Sequence, residues 1–339
     1  MVLEVLDGGL LTTVQDLGRR GYERYGVPVA GAMDPFALQA ANALVGNPLG
    51  EAGLEITVLG PRLRAAAGCL MALAGADLDA RVDGRPVPPW QALWLPAGAT
   101  LNFAGRRSGC RAYLAVAGGF DLPAVLGSRS TYLRGGFGGL EGRAVRAGDR
   151  LALRAPERGY AALAGRPRPP LALPAYGDEV TVRVVLGPQA DRFTAEGVET
   201  FLGAVYEVGQ ASDRMGYRLR GPSIAHLAGA DVISDGIALG AVQVPGDGQP
   251  IVMMADRQTT GGYTKIATVI GADIPLLAQC LPGAGRVRFA AITPAEAVRL
   301  RRDQAARLAR LAGASGYNLA DVTPADGEVA CDEEYPWER

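Results

Sequence analysis

Residues Asp231–Gly283 read DVISDGIALGAVQVPGDGQPIVMMADRQTTGGYTKIATVIGADIPLLAQCLPG, and this stretch decides the fold. Two apolar runs, Ala238–Val244 and Ile251–Met254, are joined by the glycine-rich turn Gly246–Gln249. Apolar runs on either side of such a turn predict two paired strands. A third apolar run, Tyr263–Ile270, follows a polar loop and predicts another strand. We therefore expect the stretch to form the central hairpin of a β domain.

The rest of the chain carries many more short strand-like runs, of which Leu70–Ala74, Arg111–Ala117 and Val180–Leu186 are clear examples. Turn residues separate these runs, and the chain has 47 glycines and 23 prolines. Short strands separated by turns favour an all-β barrel or sandwich over β-α-β units.

Helix signals are few. Asp34, followed by a proline, predicts a helix start because its carboxylate can cap the first turn. Thr194 is a second candidate cap. The capping box Thr293–Glu296 predicts a C-terminal helix that ends at Gly313. The predicted fold is therefore mainly β, with a few short helices and one C-terminal helix.

A change of composition divides the chain near its middle. Residues Ala155–Asp178 are rich in proline, arginine and alanine and show no periodicity, which is typical of a linker. The predicted organisation is a first β domain at 1–155, a linker at 156–178, a second β domain at 179–292, a helix at 293–313 and an acidic tail at 314–339.

The composition limits the class of protein. The 339 residues are 48% hydrophobic and 20% charged, which is typical of a globular chain. The net charge of −1 gives no electrostatic support for binding nucleic acid or a membrane surface. No secretory signal or membrane-spanning stretch is visible, so we expect a soluble cytoplasmic protein. One histidine and four cysteines without C-x-x-C spacing offer no metal-ligand set.

Lys265 is the one lysine among 34 lysines and arginines. A lysine kept where arginine is otherwise used suggests a need for a compact charge with a tunable pKa. The alternative is that its position is accidental. The preceding loop, Asp256–Gly262, can offer backbone N–H groups and hydroxyls to an anionic or carbonyl ligand, or it is simply a tight hairpin loop.

Two stretches share an acid, arginines, a glycine and a tyrosine: Gln15–Tyr22 and Ser212–Arg218. Their arginines either bind a carboxylate or phosphate, or form internal Asp–Arg pairs. His226 lies between alanine and leucine, which favours a structural role over a catalytic triad. The Gly135–Gly142 loop matches neither nucleotide-binding glycine motif.

Several motifs together resemble one family, the C subunit of bacterial 5-oxoprolinase. This family is also known as KipA, biotin-dependent carboxyltransferase or allophanate hydrolase subunit 2. The resemblance covers about Leu3 to Leu311. The motifs that carry it are Thr13–Arg19 (TVQDLGR), Gly31–Asp34 (GAMD), Ala41–Asn47 (ANALVGN), Leu54–Glu55 (LE), Ser212–Leu219 (SDRMGYRL), Ser234–Gly236 (SDG) and Asp256–Tyr263 (DRQTTGGY).

The resemblance implies two tandem cyclophilin-like β-barrel domains. It implies ATP-dependent opening of 5-oxoproline (pyroglutamate) to glutamate, through phosphorylation of the lactam oxygen and attack of water. The implied partners are a KipI-like B subunit and a LamB/YcsF-type A subunit, with ATP bound by or shared with a partner. Two alternatives stay open. One is carboxyl transfer from biotin to urea or a related amide, and the other is a KipA-like regulatory protein that binds a KipI-like inhibitor.

The resemblance also implies a set of site residues. Both enzyme reactions act on an N–C=O group through an anionic oxygen, so they need a cation and oriented donors near that oxygen. No metal is implied. The expected catalytic residues are Lys265, Asp256 and Asp213, and the expected substrate-binding residues are Asn47, Asn42, Gln258, Thr260 and Arg214.

Overall fold

The computed structural model describes residues 1–156 and 173–314. Within these ranges the chain is mainly β, as predicted, with 20 strands and four α-helices. Most of the linker predicted at 156–178 and nearly all of the tail predicted at 314–339 lie outside the described residues. No described helix is long and apolar enough to cross a membrane.

The first half of the chain builds two sheets around one core. Side chains such as Leu3 and Leu101 of one sheet share that core with Leu54 and Leu114 of the other. The first sheet contains, in pairing order, β11 (Arg150–Ala152), β1 (Val2–Asp7), β4 (Arg62–Ala65), β9 (Thr100–Phe103), β6 (Ala80–Val82) and β7 (Arg85–Pro86). The second contains β2 (Leu11–Gln15), β3 (Gly53–Thr57), β10 (Ser108–Val116), β5 (Cys69–Asp77) and β8 (Gln91–Leu95).

The second half forms a closed barrel of seven strands, which confirms the expected barrel in this half. The strands in pairing order are β12 (Glu179–Leu186), β19 (Lys265–Val269), β16 (Ala241–Gln243), β17 (Ile251–Met253), β14 (Gly216–Arg220), β13 (Tyr206–Val208) and β20 (Arg286–Ala291). Parallel pairing of β12 with β20 closes the barrel, and the other neighbours are antiparallel.

The stretch Asp231–Gly283 supplies three adjacent barrel strands. β16 and β17 pair across the turn Gly246–Gln249, as predicted. The run Tyr263–Ile270, however, does not form one strand. Its first residue ends β18 (Thr260–Tyr263), which pairs with β15 (Asp231–Gly236) in a separate ribbon, while β19 pairs with β16. Thr264 is the crossing point, because its N–H donates to the ribbon side and its carbonyl accepts from Val244 of the barrel.

The predicted helix starts are present. The Asp34 carboxylate accepts the Ala37 N–H at 2.9 Å, and the Thr194 hydroxyl accepts the Gly197 N–H at 2.9 Å. Glu296 completes the C-terminal capping box by accepting from the Thr293 N–H at 2.9 Å. The helices are α1 (Pro35–Leu44), α2 (Ala195–Gly203), α3 (Ile274–Ala278) and α4 (Pro294–Ala314).

The last helix returns to the first half. Leu308 and Leu311 of α4 belong to the same apolar cluster as Ala37 and Leu44 of α1. The segment that follows the barrel therefore packs against the first half through the contact of α4 with α1.

Candidate active site

The ribbon of β15 and β18 covers one patch on the outside of the barrel. Val242 and Val244 point into the barrel core, so strand alternation turns Gln243 outward. Gln243 is nevertheless only 2% exposed. An apolar cluster that includes Ile237 and Met253 holds the end of the ribbon against the barrel beside it. Side chains outside the core are thus buried between ribbon and barrel.

Three polar atoms in this covered region have no hydrogen-bond partner in the described part of the chain. They are Nζ of Lys265, Nε2 of Gln243 and Oε1 of Gln258. Gln243 and Lys265 are register partners on β16 and β19, so their side chains lie on the same side of the sheet. A buried polar group without a partner costs about 1–3 kcal/mol. Two donors and one acceptor are therefore open to a ligand.

Gly261 keeps the space between these groups free. A Cβ at this position would lie 2.9 Å from Gln243 Nε2 and 2.6 Å from Ile237 Cδ1, both closer than real Cβ contacts. The same point lies 3.5 Å from Gln258 Nε2. A larger residue there would have to displace the ends of the Ile237 and Gln243 side chains, whereas the backbone angle at Gly261 is ordinary. We call Gln243, Gln258, Gly261 and Lys265 the polar pocket.

The positive charge of Lys265 in the polar pocket is balanced by the exposed Asp235. Lys265 Nζ lies 3.2 Å from Oδ2 of Asp235, an ion pair without hydrogen-bond geometry. The Lys265 side chain is 4% exposed, whereas that of Asp235 is 56% exposed. The Lys265 ammonium holds the pKa of Asp235 below its usual range. The ammonium therefore has one hydrated counter-ion and N–H groups that remain open.

A second group of buried polar residues lies where the two halves meet. Nε and Nη2 of Arg214 donate to the Asp256 carboxylate at 3.0 and 2.9 Å, and Nη1 donates to Glu55 of the first half. Glu55 also accepts from the Met33 N–H at 2.8 Å and from the Tyr113 hydroxyl at 2.7 Å. We call Glu55, Tyr113, Arg214 and Asp256 the interface cluster.

The ionisation of the interface cluster follows from its pairing. Burial opposes the charged form of Arg214, but the carboxylates of Asp256 and Glu55 outweigh it and raise the Arg214 pKa. Burial alone would raise the pKa of Glu55, but Arg214 and Arg111 bring it below its usual value. The cluster is therefore a charged and hydrogen-bonded joint between the halves.

Asp34 is a buried carboxylate that accepts hydrogen bonds from neutral groups instead of from an arginine. It accepts hydrogen bonds from Gln279 Nε2 and from the Tyr176 hydroxyl, both at 2.9 Å. No described cation forms an ion pair with it, and burial raises its pKa. Gln279 comes from the barrel, so this contact also joins the two halves.

Asn42 and Asn47 are buried at the end of α1. Asn47 Nδ2 donates to Asn42 Oδ1 at 3.0 Å and to Val116 O at 2.9 Å, and its Oδ1 accepts the Gly118 N–H at 2.9 Å. Asn42 Nδ2 donates to Glu51 O at 2.6 Å. These hydrogen bonds hold the loop after α1 against the end of β10, and neither amide lies with the polar pocket.

Asp213 and Thr260 lie at the surface. The Asp213 carboxylate accepts the Met215 and Gly216 N–H groups at 2.8 and 3.2 Å, which shapes the turn before β14. It also lies 3.4 Å from Arg134 of the glycine-rich loop. Thr260 is exposed on β18, next to Gly261 in the ribbon.

Neither arginine-rich stretch forms the local Asp–Arg pair that was one of its two interpretations. Arg214 pairs with Asp256 rather than with Asp213. Asp16 accepts from Ser128 and Ser130 at 2.6 and 2.5 Å instead of pairing with an arginine. Hydrogen bonds to nearby hydroxyls satisfy Asp16 locally, and sequence spacing does not reveal this.

Arg19 is buried at 1% exposure and donates to Ser130 O. Its guanidinium lies over the ring of Phe137, at 4.9 Å from the centroid. Its Nε and Nη1 have no partner in the described part of the chain. Burial lowers its pKa. Arg19 therefore links the segment after β2 to the Gly135–Gly142 loop.

His226 forms hydrogen bonds within the fold, and two buried cysteines have raised pKa values. His226 Nε2 lies 3.1 Å from both Val244 O and Thr264 Oγ1, which confirms the structural interpretation. Burial raises the pKa of Cys69 to about 11 and that of Cys280 to about 12, so both remain thiols near neutral pH.

A comparison with models of protein families identifies the family of this chain. The model described as "Carboxyltransferase domain, subdomain A and B" matches residues 25–291. The chain belongs to this carboxyltransferase domain family. The match includes the barrel, the ribbon, the polar pocket and the interface cluster.

Relatives within the family carry two kinds of name. The chain is 39% identical to the 5-oxoprolinase C subunit of Escherichia coli, over 89% of this chain and 95% of the relative. It is 36% identical to the corresponding protein of Haemophilus influenzae, which has the same name, over 89% of this chain and 94% of the relative. The crystal structure of Kluyveromyces lactis urea carboxylase is similar with a TM-score of 0.85 and 31% identity, over 91% of this chain and 29% of that much longer chain.

The structure sorts the predicted site residues of this carboxyltransferase domain into groups. It brings Lys265 and Gln258 together in the polar pocket, beside Thr260, and it pairs Asp256 with Arg214 in the interface cluster. It places Asn42, Asn47 and Asp213 apart from both groups. The functional roles assigned to these residues stay predictions.

Sequence reasoning missed Gln243 and Asp235 in the pocket and Glu55 in the interface cluster as site residues. A signal existed for two of them. Gln243 and Glu55 are polar residues inside short apolar strands, where a buried polar side chain needs a specific partner. Asp235 lies in the Ser234–Gly236 motif of the resemblance, but an exposed aspartate in a turn-like sequence gives no further signal of a pocket.

Proposed function

We propose that the chain is one component of an ATP-dependent 5-oxoprolinase and that its polar pocket binds the lactam of 5-oxoproline. The observation that carries the proposal is the set of unpartnered atoms: two donors, on Lys265 and Gln243, and one acceptor, on Gln258. A lactam has the complementary set, since its carbonyl oxygen accepts and its N–H donates. The relatives named as the C subunit of 5-oxoprolinase support this choice of substrate.

In this proposal the lactam oxygen accepts from the Lys265 ammonium and the Gln243 amide, while the ring N–H donates to Gln258. Negative charge that develops on the oxygen is then met by a fixed cation and a fixed donor. Water breaks the ring C–N bond. Its oxygen goes to the carbonyl carbon and a proton goes to the ring nitrogen, which yields γ-glutamyl phosphate once the lactam oxygen has taken the phosphoryl group of ATP and ADP has left. A second water then cleaves this acyl phosphate to glutamate and phosphate.

ATP supplies the phosphoryl group that makes the lactam carbon electrophilic. We assign ATP to a partner protein, or to a site shared with it, because the sequence has no glycine-rich phosphate-binding motif followed by lysine. The proposed partners are a KipI-like B subunit and a LamB/YcsF-type A subunit, working in the cytoplasm. A relative named as the C subunit belongs with other subunits, which supports a complex.

Asp256 has a supporting role in this scheme. It follows the barrel strand β17 and begins the loop that carries Gln258, and its two hydrogen bonds to Arg214 fix that end of the loop. It is therefore expected to position Gln258 rather than to touch the lactam.

A biotin-dependent carboxyltransferase is the second candidate. The family match and the structural similarity to urea carboxylase favour it. Urea also presents an N–C=O group, and the same donors would bind its oxygen. Biotin would then carry the carboxyl group and would come from another polypeptide.

One experiment separates these candidates. The chain is co-purified with its KipI-like and LamB/YcsF-type partners, and ADP and glutamate release are measured with 5-oxoproline. We expect 5-oxoproline-dependent ADP and glutamate from the complex and none from the chain alone. Biotin-dependent carboxylation of urea without oxoprolinase activity would instead support the carboxyltransferase. Tight binding of the KipI-like partner with neither activity would support a KipA-like regulatory protein.

A further inference from the structure

Arg257 is a cation without an anionic partner beside the polar pocket. Its Nε donates to Ile237 O at 2.9 Å and its Nη1 to Met254 O at 3.4 Å. No carboxylate of the described residues lies within ion-pair distance of its guanidinium, and Nη2 makes no hydrogen bond there. Most buried or half-buried arginines of this chain, such as Arg214, do have a carboxylate partner. Arg257 therefore has unused capacity for an anion.

The hydrogen bond to Ile237 places this guanidinium next to the polar pocket. The Ile237 side chain lines the space that Gly261 keeps open, at 2.6 Å from the position of a Cβ. Arg257 also precedes Gln258 directly in the loop. Arg257 is thus linked to two residues at the pocket, Ile237 through a hydrogen bond and Gln258 through the chain.

Burial removes water from Arg257, and no described carboxylate forms an ion pair with it. Burial is the main reason that its pKa falls to about 10, with Arg20 lowering the pKa further and Glu23 of the first half opposing this. A half-buried guanidinium bound only to carbonyl oxygens gains most from a carboxylate, which accepts two parallel N–H groups.

We propose that Arg257 binds a carboxylate on the substrate and so selects a lactam that carries one. This inference deepens the proposed function and rests on it. In 5-oxoproline the carboxylate is attached to the carbon next to the ring nitrogen, so it lies on the same side as the N–H. When that N–H donates to Gln258, the carboxylate faces the neighbouring Arg257. Urea and 2-pyrrolidinone have no carboxylate and gain nothing from this residue.

The test compares substrates and variants in the complete complex. Arg257→Gln is expected to raise KM for 5-oxoproline about 10- to 100-fold, the loss of one charged hydrogen-bonded contact, with a smaller change in kcat. Turnover or binding of 2-pyrrolidinone should be equal in wild type and variant. Arg257→Lys should recover part of the loss because it keeps the charge. Arg220→Gln, at an exposed arginine of β14, is the matched control and should leave both substrates unchanged.

Equilibrium binding distinguishes the two levels of the hypothesis. Binding of 5-oxoproline and 2-pyrrolidinone is measured by calorimetry on the complex of wild type, Arg257→Gln and Lys265→Met. The role of Arg257 is overturned if Arg257→Gln weakens the binding of both ligands equally or of neither. The proposed lactam pocket still stands in that case if Lys265→Met weakens the binding of both ligands. If 5-oxoproline does not bind the wild-type complex at all, both hypotheses fall. Thermal melting of each variant verifies that it is folded.

Discussion

The polar pocket and the interface cluster both contain buried polar side chains, yet they differ in how these side chains are paired. In the interface cluster Arg214, Glu55 and Asp256 satisfy one another. In the polar pocket Lys265, Gln243 and Gln258 leave atoms without partners. Buried polar groups are almost always paired, so a satisfied set is explained by the fold alone, whereas several unpartnered atoms grouped around one space make that space a candidate ligand site. The comparison separates residues that hold the halves together from residues that we propose bind substrate.

The largest expected effect is on stability, in the interface cluster. Glu55→Ala leaves Arg214 without one of its two carboxylates and removes the acceptor of the Tyr113 hydroxyl. We expect a loss of about 3–5 kcal/mol in the free energy of unfolding, measured by urea denaturation. Glu179→Ala removes the exposed pair with Arg288 and is the control, with an expected loss below about 1 kcal/mol. Similar losses in both variants would contradict the assignment of the cluster as a buried joint.

The second effect is on activity, in the polar pocket. Lys265→Met replaces an ammonium, whose ion-pair partner is the exposed Asp235, by an apolar side chain of similar length. We expect kcat of the complex to fall about 100-fold or more, because a cation at the developing oxyanion is lost. The free energy of unfolding should stay the same or rise, since no buried hydrogen bond is removed. A stability loss as large as that of Glu55→Ala would show that Lys265 is structural.

The third effect is steric. Gly261→Ala puts a methyl group into the space between Gln243 and Ile237. We expect KM for 5-oxoproline to rise about 10-fold, with a smaller change in stability, because the added methyl group occupies space in the polar pocket that the substrate needs. Gly246→Ala is matched to it, since a Cβ there meets nothing within 4 Å. Unchanged kinetics in Gly261→Ala would place the substrate elsewhere.

The smallest effect separates two buried carboxylates of the interface by pH. The pKa of Glu55 lies below its usual value of 4.5, so its contribution to stability is present above that value and is lost as pH falls. The pKa of Asp34 is raised, so its ionisation costs stability as pH rises through that raised pKa.

Unfolding free energies between about pH 3 and pH 7 test both signs. Glu55→Gln should flatten the loss of stability on the acid side, because the titrating group is gone. Asp34→Asn should steepen it, because the opposing titration is removed. The slopes are compared rather than the absolute values, since each substitution also changes hydrogen bonds. An unchanged slope in both variants would mean that neither carboxylate titrates in this range.

Local signals in the sequence were enough for much of the fold. The hairpin β16–β17, the cap at Asp34 and the capping box at Thr293 depend on neighbouring residues, and each was predicted correctly. The division of the third run between β18 and β19 was not predicted. This division is decided by the strands with which β18 and β19 pair, and an apolar run in the sequence does not indicate its pairing partner.

Two parts of the candidate site stand out from composition alone. Lys265 was identified because no other lysine exists, and the loop Asp256–Gly262 because of its polarity. The pairing of Arg214 with Glu55 joins residues 159 positions apart and was not accessible from spacing. The same holds for the contact of Gln243 with the covering ribbon, since only the folded barrel turns that side chain towards it.

The return of α4 to the first half has a consequence for synthesis on the ribosome. Leu308 and Leu311 complete the apolar cluster of α1, but they are translated roughly 260 residues after Leu44. At about 5–20 residues per second, that apolar surface waits on the order of ten to fifty seconds for its cover. The nascent first half is therefore a natural client for chaperones, and a chain that stops before Pro294 would leave this apolar surface of α1 without its cover.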